Sequence, residues 1–421
     1  CCSRIYQQSR KIILKNRVVI TGDGSISPLG FNSKSLWENL INGQSGVDYI
    51  QQFDTENFSV KIAGEVKDFD PNEFFDSKDV KRLDRFTMFG LIAAKQAIEK
   101  SNYSSSDAGV IVGTGVGGMH TLEEEHSKYI NKGQRGVSPF YVPKMIPNIA
   151  GGQIAIKNNL NGLNFSMSTA CSSATDAIGM AYRLISDGHI SAMICGGAEG
   201  SITPLTLSGF ANMKALSKNN DNPSEASKPF DKERDGFILS EGAGMLFMEN
   251  LESALNRGAE ILGEIIGYGI TNDAYHITQP HKDSVGAISA IEMAINEANI
   301  KVEDIDYINA HGTSTYFNDM LETQAIKNVL GNHAKDVSIS STKSMTGHLL
   351  GAAGAIEAIA CINAINYNKV PPTVNFKTPD PECNLNYTPN VAIDRNVEIA
   401  MSNSFGFGGH NSVIILKKFS S

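Results

Sequence analysis

The first half of the chain alternates short apolar runs, glycine-rich turns and longer amphipathic stretches, which is the pattern of an α/β fold. β-Branched residues after Arg17 predict a first strand, and apolar spacing predicts helices over residues 33–41 and 77–100. Further strands are expected before the glycine turns at Gly113 and Gly200. A polar loop over residues 221–235 precedes the next strand-like run.

The same order of elements starts again near Asn256. The repeated pattern comprises a strand at 264–270, a helix at 284–299, a strand at 305–309 and a strand-to-helix junction after residue 337. This order predicts two duplicated halves, residues 17–256 and 257–421. The parallel places His348 in the second half where the first half has Cys171.

Cys171 lies at a predicted strand-to-helix junction. Residues 164–168 alternate as a strand does, and the small residues of 172–178 favour a tightly packed helix. A thiol in the first turn of a helix faces unpaired backbone N–H groups and the positive end of the helix dipole, and both favour the thiolate. Cys171 is therefore the candidate nucleophile.

The composition narrows the class of protein. The chain has 421 residues, 41% of them hydrophobic, and a net charge of −9, which argues against general affinity for nucleic acid. The apolar window 349–365 contains Glu357 and many small residues, which predicts a buried helix and no membrane span. The six cysteines lack disulfide-framework or zinc spacing, so we expect reduced thiols.

Residues 1–16 form a basic leader without acidic residues. The basic residues are Arg4, Arg10, Lys11 and Lys15. Such a composition fits the remnant of an organellar transit peptide, or else a tail outside the fold. We expect a plastid-like organelle, with the cytoplasm as the alternative.

Two histidines share the context of Cys171, since each lies where an apolar run meets small residues and glycine. They are His311, in Asn-Ala-His-Gly-Thr-Ser-Thr, and His348, in Lys-Ser-Met-Thr-Gly-His. A cysteine with two histidines fits acyl-thioester chemistry. Zinc binding by the three residues is an alternative, although no paired chelating motif is present.

A glycine-rich turn at Gly113, Gly115 and Gly118 matches the spacing of the dinucleotide-binding fingerprint. The fingerprint also needs a helix that opens at once and an acidic residue at the end of a second strand, and neither is evident. We therefore expect no nicotinamide or flavin cofactor.

Four motifs in order resemble the β-ketoacyl-[acyl-carrier-protein] synthases of type II fatty acid synthesis. They are Thr-Ala-Cys-Ser-Ser at 169–173, His-Gly-Thr-Ser-Thr at 311–315, Lys-Ser-Met-Thr-Gly-His at 343–348 and Asn-Ser-Phe-Gly-Phe-Gly-Gly at 403–409. The resemblance covers nearly the whole chain after Arg17. It implies a thiolase-like five-layer αβαβα fold of two duplicated halves, a homodimer and no cofactor.

The resemblance also implies a reaction. Cys171 would take an acyl chain from acyl carrier protein, and malonyl carrier protein would then lose CO₂ and condense with it. His311 and His348 would hold the enolate oxygen, and the backbone N–H groups of Cys171 and Phe405 would hold the second oxyanion. Phe405 would also act as a gate, and Lys343 would act electrostatically, in contact with Glu357. In the family a monovalent cation or a water lies near the residue that matches Glu357.

Substrate and carrier contacts follow from the same resemblance. Leu122 would line the bottom of the acyl pocket, and Phe407, Thr313 and Thr315 would bind substrate. A basic patch would contact the acidic carrier protein through Lys78, Lys81, Arg82, Lys214 and Lys218.

The chain departs from the family pattern at three places. His410 replaces the usual Thr after the glycine turn, Tyr316-Phe317 replaces a Pro-containing pair, and His120 replaces a small residue. We expect His410 to alter the gating turn or the pH profile. Two rival functions stay open, a polyketide-type ketosynthase and a non-catalytic chain-length-determining partner, although such a partner should lack the nucleophile.

Overall fold

The computed structural model describes residues 15–420, so the leader predicted at residues 1–16 lies almost entirely outside the described residues. The strands are β1 (Val18–Ile26), β2 (Asp48–Tyr49), β3 (Ile62–Ala63), β4 (Gly109–Gly113), β5 (Asn164–Met167), β6 (Ala192–Glu199), β7 (Gly242–Asn250), β8 (Gly263–Asn272), β9 (Tyr307–Asn309), β10 (Ser338–Ser340), β11 (Lys369–Val370), β12 (Ile393–Asp394), β13 (Ile399–Gly406) and β14 (His410–Lys417).

The α-helices are α1 (Ser33–Ile41), α2 (Ser77–Val80), α3 (Arg85–Ser101), α4 (Met119–Lys132), α5 (Tyr141–Met145), α6 (Ile149–Asn158), α7 (Ser173–Ser186), α8 (Pro204–Asn212), α9 (Leu251–Asn256), α10 (Val285–Ala298), α11 (Tyr316–Leu330), α12 (Lys343–Thr346) and α13 (Ala353–Tyr367). Short 3₁₀ turns lie at Pro71–Glu73, Gln134–Gly136, Ala170–Ser172, Pro223–Glu225, Val302–Asp304, Gly331–Lys335, Leu350–Ala352 and Phe407–Gly409.

The main sheet reveals the duplication directly. Its strand order is β10-β9-β13-β14-β8-β1-β7-β6-β4-β5, so five strands of one half mirror five of the other about the β8–β1 pair. That central pair is short and joins Val18 to Ile265 and Ile20 to Gly263. The element order therefore agrees with the two halves expected from the repeated sequence pattern.

Alternating side chains on the central strands face different cores, as the two-residue period of a strand requires. On β7, Leu246 and Met248 pack with the central helices α7 and α13, whereas Met245 and Phe247 pack with α3. On β14, alternate residues likewise divide between the central core and a third core built on α10 and α11. The layers are thus helix, sheet, helix, sheet and helix, which is the five-layer thiolase-like arrangement.

The two central helices approach each other closely because small residues line their contact. A Cβ added at Gly354 of α13 would come within 1.9 Å of Thr175 Oγ1 on α7. One at Gly179 of α7 would meet the Tyr268 ring at 2.3 Å. The tight packing brings the N-terminal ends of α7 and α13, and with them Cys171 and the His348 segment, to one place.

The helix predicted over residues 77–100 is wrong as one element. Asp76 and Asp84 each accept hydrogen bonds from backbone N–H groups ahead of them and thereby cap two separate helices, α2 and α3. Apolar periodicity continues across the break, which is why the pattern suggested one helix. Lys78 lies on α2, whereas Lys81 and Arg82 lie in the connection.

The predicted equivalence of His348 with Cys171 is also wrong. In both halves a residue with positive φ opens a 3₁₀ turn before the central helix, at Ala170 (φ 52°) and at Leu350 (φ 48°). Cys171 therefore corresponds to Gly351. His348 enters the site from the segment just before its turn.

The apolar window at residues 349–365 forms a helix, as predicted. Among the described residues, the run Leu350–Tyr367 is long and apolar enough to cross a membrane, but 83% of it is buried inside the molecule. This run includes α13, the core helix between the two halves of the sheet.

Candidate active site

Cys171 lies in the 3₁₀ turn that leads into α7, at the carboxyl end of β5. The turn is held by small side chains, since Ser172 Oγ donates to Thr169 O at 2.8 Å and Ser173 Oγ donates to Ala170 O at 2.6 Å. Thr169 Oγ1 in turn hydrogen bonds to Asp176 on α7. The run of small residues in the sequence therefore fixes the nucleophile's backbone.

The structure brings both predicted histidines to the thiol. His348 Nε2 lies 3.0 Å from Cys171 Sγ, and the His311 and His348 rings are perpendicular, with centroids 5.4 Å apart. All three residues are buried. The two histidines follow Cys171 by 140 and 177 residues along the chain, so only the association of the two halves creates this cluster.

Burial dominates the protonation states here. It raises the pKa of the Cys171 thiol to about 12, even though the Lys343 charge and the Phe407 N–H both act to lower it. The expected stabilisation of a thiolate by the helix terminus is therefore outweighed, and the resting residue is a thiol. Burial, assisted by the Lys343 charge, holds the pKa values of His311 and His348 well below 6.5, so both imidazoles are neutral.

Lys343 bridges a carboxylate and an imidazole. Its ammonium Nζ lies 3.3 Å from His311 Nδ1 and forms a buried ion pair with Glu357, as expected for that contact. An ammonium has no lone pair, so Nδ1 must accept the hydrogen bond, and the proton of neutral His311 resides on Nε2. Lys343 thus selects the tautomer that can donate a hydrogen bond from Nε2.

Glu322 positions the His311 turn and was not singled out by the sequence. Its carboxylate on α11 accepts the backbone N–H groups of His311 and Gly312, both at 2.8 Å, and Asn403 Nδ2 at 3.1 Å. Burial raises the pKa of Glu322 to about 7. The only signal in the sequence is a glutamate on the buried side of an otherwise ordinary helix.

The backbone N–H of Phe407 lies near the thiol and acts to lower the pKa of Cys171. The role expected for the Phe405 N–H as an oxyanion donor stays a prediction. Phe405 lies two residues earlier, at the end of β13, with its ring 6.0 Å from the His311 ring. The glycine between them packs over the turn, because a Cβ at Gly406 would lie 2.8 Å from Thr169 O.

A cavity of about 590 Å³ opens at Cys171. Thr313, Thr315 and Phe407, the residues predicted to bind substrate, line it together with Lys214. Leu122 does not line it, because it lies inside α4 beyond the glycine turn. Val116, within that turn, is one of the apolar residues that do line the cavity, and an apolar side chain between glycines was the available signal.

The glycine turn opens α4 at Met119, contrary to the expectation that no helix follows it. The Gly115 N–H of this turn is not free to bind a phosphate, because it donates to the buried Glu199 carboxylate at 2.7 Å. The same carboxylate accepts Gly351 N–H at 3.1 Å and so links the turn to the second half. A carboxylate at this position would repel a pyrophosphate.

Two features bear on metal binding. Donor atoms of Cys171, His311 and His348 lie within 4.8 Å of one another, so distance alone would permit the zinc alternative. Among the described residues, the buried side-chain oxygens without a hydrogen-bond partner include Asn309 Oδ1, Glu357 Oε2, Ser402 Oγ and Asn403 Oδ1. Ser402 pairs with Asn309 between β13 and β9. Such oxygens suit a hard cation.

Comparison with known proteins assigns the family. Residues 15–254 match the family described as "Beta-ketoacyl synthase, N-terminal domain", and residues 262–377 match "Beta-ketoacyl synthase, C-terminal domain". The chain belongs to the β-ketoacyl synthase family. The resemblance inferred from the four motifs is thereby confirmed.

The sequences of individual ketoacyl synthases match this chain over nearly its full length. The chain is 50% identical to "3-oxoacyl-[acyl-carrier-protein] synthase 2" of Synechocystis sp., over 96% of this chain and 99% of the relative. It is 48% identical to the protein of that name from Staphylococcus aureus strain N315, over 96% of this chain and 98% of the relative.

Solved ketosynthase structures confirm the thiolase-like fold. "The ishigamide ketosynthase/chain length factor" matches with a TM-score of 0.91 at 34% identity, over 96% of this chain and all of that one. A type II polyketide ketosynthase in complex with its acyl carrier protein matches with a TM-score of 0.89, again at 34% identity and with the same coverage.

The basic residues predicted to bind the carrier protein lie in two separate regions of the surface. Lys214 lines the cavity, and Lys218 follows it four residues later. Lys78, Lys81 and Arg82 are exposed around α2 and do not line the cavity. The Arg82 guanidinium lies over the Phe140 ring at 4.8 Å, which fixes its direction.

The three departures lie around the site without entering its chemistry. His410 begins β14 opposite Gly406, and its ring lies against Gly408. His120 is at the start of α4. Its Nε2 is buried and has no hydrogen-bond partner in the part of the chain that the structure describes, and burial lowers its pKa. Tyr316 and Phe317 begin α11 and line the cavity.

Proposed function

We propose that this chain is a 3-oxoacyl-[acyl-carrier-protein] synthase of fatty acid chain elongation, a decarboxylating acyltransferase. The observation that carries the proposal is the buried contact of Cys171 Sγ with His348 Nε2 at 3.0 Å, beside His311 and at the base of a cavity. The presence of all three groups argues against a non-catalytic partner. The 50% identity to a 3-oxoacyl synthase, against 34% to polyketide enzymes, favours fatty acid elongation.

The first half-reaction transfers the acyl group. Cys171 Sγ attacks the carbonyl carbon of the acyl-carrier thioester, and the bond from that carbon to the carrier sulfur breaks. The thiol proton passes to neutral His348 Nε2 and from there to the departing carrier thiolate, so the step is balanced. The N–H of Phe407, which acts to lower the pKa of the nearby thiol, would stabilise the oxyanion.

In the second half-reaction, the malonyl group condenses with the acyl group on Cys171. Malonyl carrier protein loses CO₂, and the electron pair of the broken bond becomes an enolate whose oxygen accepts a hydrogen bond from His311 Nε2–H. Once Cys171 is acylated and no longer donates to His348, the neutral imidazole can carry its proton on Nε2 and supply the second hydrogen bond. The enolate carbon attacks the Cys171 acyl carbonyl, the C–S bond breaks, and the Cys171 thiolate takes up a proton from solvent. Lys343 supports this step by keeping the proton of His311 on Nε2.

A labelling experiment tests the nucleophile. The protein is incubated with acyl carrier protein carrying a labelled acyl chain, and the acylated peptide is mapped by mass spectrometry. The label is expected on Cys171 and should be lost in Cys171→Ala, while Cys195→Ala, which removes a buried core thiol, serves as the control. A label on any other residue contradicts the mechanism.

The roles of His311 and His348 in the two half-reactions can be distinguished by mutation. His311→Ala should slow malonyl decarboxylation by about 10²–10³-fold, because one oxyanion donor is lost, while acylation of Cys171 largely continues. His348→Ala should slow both half-reactions, because only His348 contacts the sulfur. Equal effects of both variants on acylation would refute this division of roles.

The partner in the proposal is an acidic acyl carrier protein, received by the exposed basic residues named above. A homologous ketosynthase has been solved in complex with its carrier, which supports this choice. Replacing Lys78 and Lys81 by Glu should weaken carrier-dependent acylation. The matched change at Lys95 and Lys34, exposed lysines outside the predicted patch, should not.

The chain is further proposed to form a homodimer through β5. This strand is one edge of the ten-stranded sheet, and it is exposed at Asn164 and Phe165. The opposite edge, β10, is buried and donates Ile339 N–H to Asn386 O at 2.9 Å. An uncovered edge strand with apolar neighbours favours pairing with a second copy.

Two further proposals concern the cation and the compartment. A monovalent cation is proposed beside Glu357, whose buried Oε2 has no hydrogen-bond partner among the described residues. Replacing K⁺ by choline should lower the melting temperature of the wild type but not of Glu357→Gln.

Import into a plastid-like organelle rests on the basic leader. A reporter fused to residues 1–16 should be imported, whereas one with its four basic residues changed to Gln should stay in the cytoplasm.

A further inference from the structure

Two aromatic side chains replace the Pro-containing pair expected from the family pattern. Tyr316 and Phe317 immediately follow the His311 motif and open α11. They are 49% and 54% exposed, and both line the cavity that contains Cys171. Their rings meet edge to face, with centroids 5.3 Å apart. Large exposed rings at a cavity that delivers substrate require an explanation beyond core packing.

Tyr316 is held in place from two sides. Its hydroxyl donates to Glu382 Oε2 at 2.6 Å, and the Arg234 guanidinium lies over its ring at 5.1 Å. Arg234 is itself buried, donates to Asp380 at 2.6 Å and donates to the Tyr316 carbonyl at 3.1 Å. A ring fixed in this way loses little conformational freedom when a partner covers it.

The neighbouring rim adds apolar surface and positive charge. Met213, 48% exposed, lines the same cavity, and the exposed Lys214 follows it. Apolar and aromatic anchors surrounded by charged residues are typical of the energetically important centre of a protein interface. The positive charge of Lys214 complements an acidic partner.

We propose that Tyr316, Phe317 and Met213 form an apolar docking surface for the acyl carrier protein at the cavity mouth, in addition to its basic contacts. This inference rests on the proposed function. The thioester is covalently tethered to the carrier and must pass through this cavity to reach Cys171. The carrier therefore covers the mouth during each half-reaction and contacts the exposed rings.

The test compares a carrier-bound substrate with a carrier-free one. Acylation of Cys171 is measured with acyl carrier protein and with acyl-pantetheine, which has the same thioester but no protein. Phe317→Ala should lower the efficiency of acylation by on the order of tenfold more with the carrier than with the carrier-free thioester. The half-saturating carrier concentration should rise, with little change in the maximal rate.

Matched variants separate docking from folding. Tyr316→Phe keeps the ring but loses the Glu382 hydrogen bond and should show a smaller carrier-specific loss than Tyr316→Ala. Tyr367→Ala removes an exposed aromatic ring outside the cavity lining, 64% exposed, and should show no carrier-specific loss. Equal losses on both substrates, or no loss on either, overturn the docking surface. A wild-type protein that neither substrate acylates refutes the proposed function itself.

Discussion

Cys171 experiences two opposing influences. The helix terminus and the Lys343 charge favour the thiolate, whereas complete burial favours the neutral thiol, and burial wins because it raises the pKa to about 12. Nucleophilic attack therefore requires proton transfer in the same step. The neutral His348 at 3.0 Å can accept that proton, which gives the two residues one combined role.

The Lys343 charge should control the acid side of the pH profile. Because that charge lowers the pKa of His348, Lys343→Met should raise it, and His348 should become protonated at a higher pH. A protonated His348 cannot accept the thiol proton. The rate of Cys171 acylation falls at low pH, and we call this part of its pH profile the acid limb. We expect the acid limb to move to higher pH by on the order of one unit, as measured by rapid-quench labelling.

Glu357→Gln is the matched control for that change, since it leaves the ammonium in place and removes the opposing charge. Its acid limb should stay or move to lower pH. An acid limb of Lys343→Met that stays in place or moves downward would contradict the electrostatic role of Lys343.

Val116 should limit the length of the acyl chain. Its side chain lines the cavity, so Val116→Phe should reduce acylation by long acyl chains by on the order of tenfold and spare short ones. Acylation rates with a series of chain lengths measure this. Leu122→Phe adds comparable volume outside the cavity lining and should not change the preference. A shift seen with Leu122→Phe alone would restore the original assignment.

At the scale of elements, the close contact of α7 and α13 sets the geometry of the site. The nucleophile precedes one helix and His348 precedes the other, so the distance between the helices sets the distance from sulfur to imidazole. Glycine permits that contact at Gly354, where any Cβ would overlap the Thr175 side chain.

Gly354→Ala should therefore destabilise the fold and impair acylation together. Overpacking in a dense core typically lowers the free energy of unfolding by about 1–3 kcal/mol, measurable by urea denaturation. Gly209→Ala, in α8 with no atom within 4 Å of the added Cβ, should instead be neutral or stabilising by up to about 1 kcal/mol. Unchanged stability of Gly354→Ala would show that the helices can move apart freely.

At the scale of the whole molecule, the sheet has one covered edge and one uncovered edge. Apolar residues cluster near the uncovered one, with Leu163 45% and Ile156 71% exposed. Isolated edge strands of this kind promote association between chains. The proposed dimer buries them.

Disrupting that edge should produce monomers. Phe165→Lys combined with Ile156→Glu places unpaired charge at the β5 edge, and light scattering should then report the mass of one chain in place of two. Val391→Glu adds charge at a site 70% exposed and distant along the chain, and should leave the dimer intact. A wild-type protein that is monomeric at all tested concentrations would refute the dimer.

The sequence by itself determined the family, the order of elements and the identity of the reacting groups. Four motifs and a repeated strand–helix pattern suffice for that, because hydrophobic period and glycine turns are local properties. The contact between Lys343 and Glu357, fourteen residues apart, was also foreseeable.

Only the tertiary structure decided the details that depend on distance and burial. It placed Val116 at the cavity in place of Leu122, and it moved the symmetry partner of Cys171 from His348 to Gly351. Each error is a shift of a few residues along a correctly identified motif, which spacing alone cannot resolve. The protonation of Cys171 needed the packed core, because desolvation arises from atoms contributed by both halves of the chain.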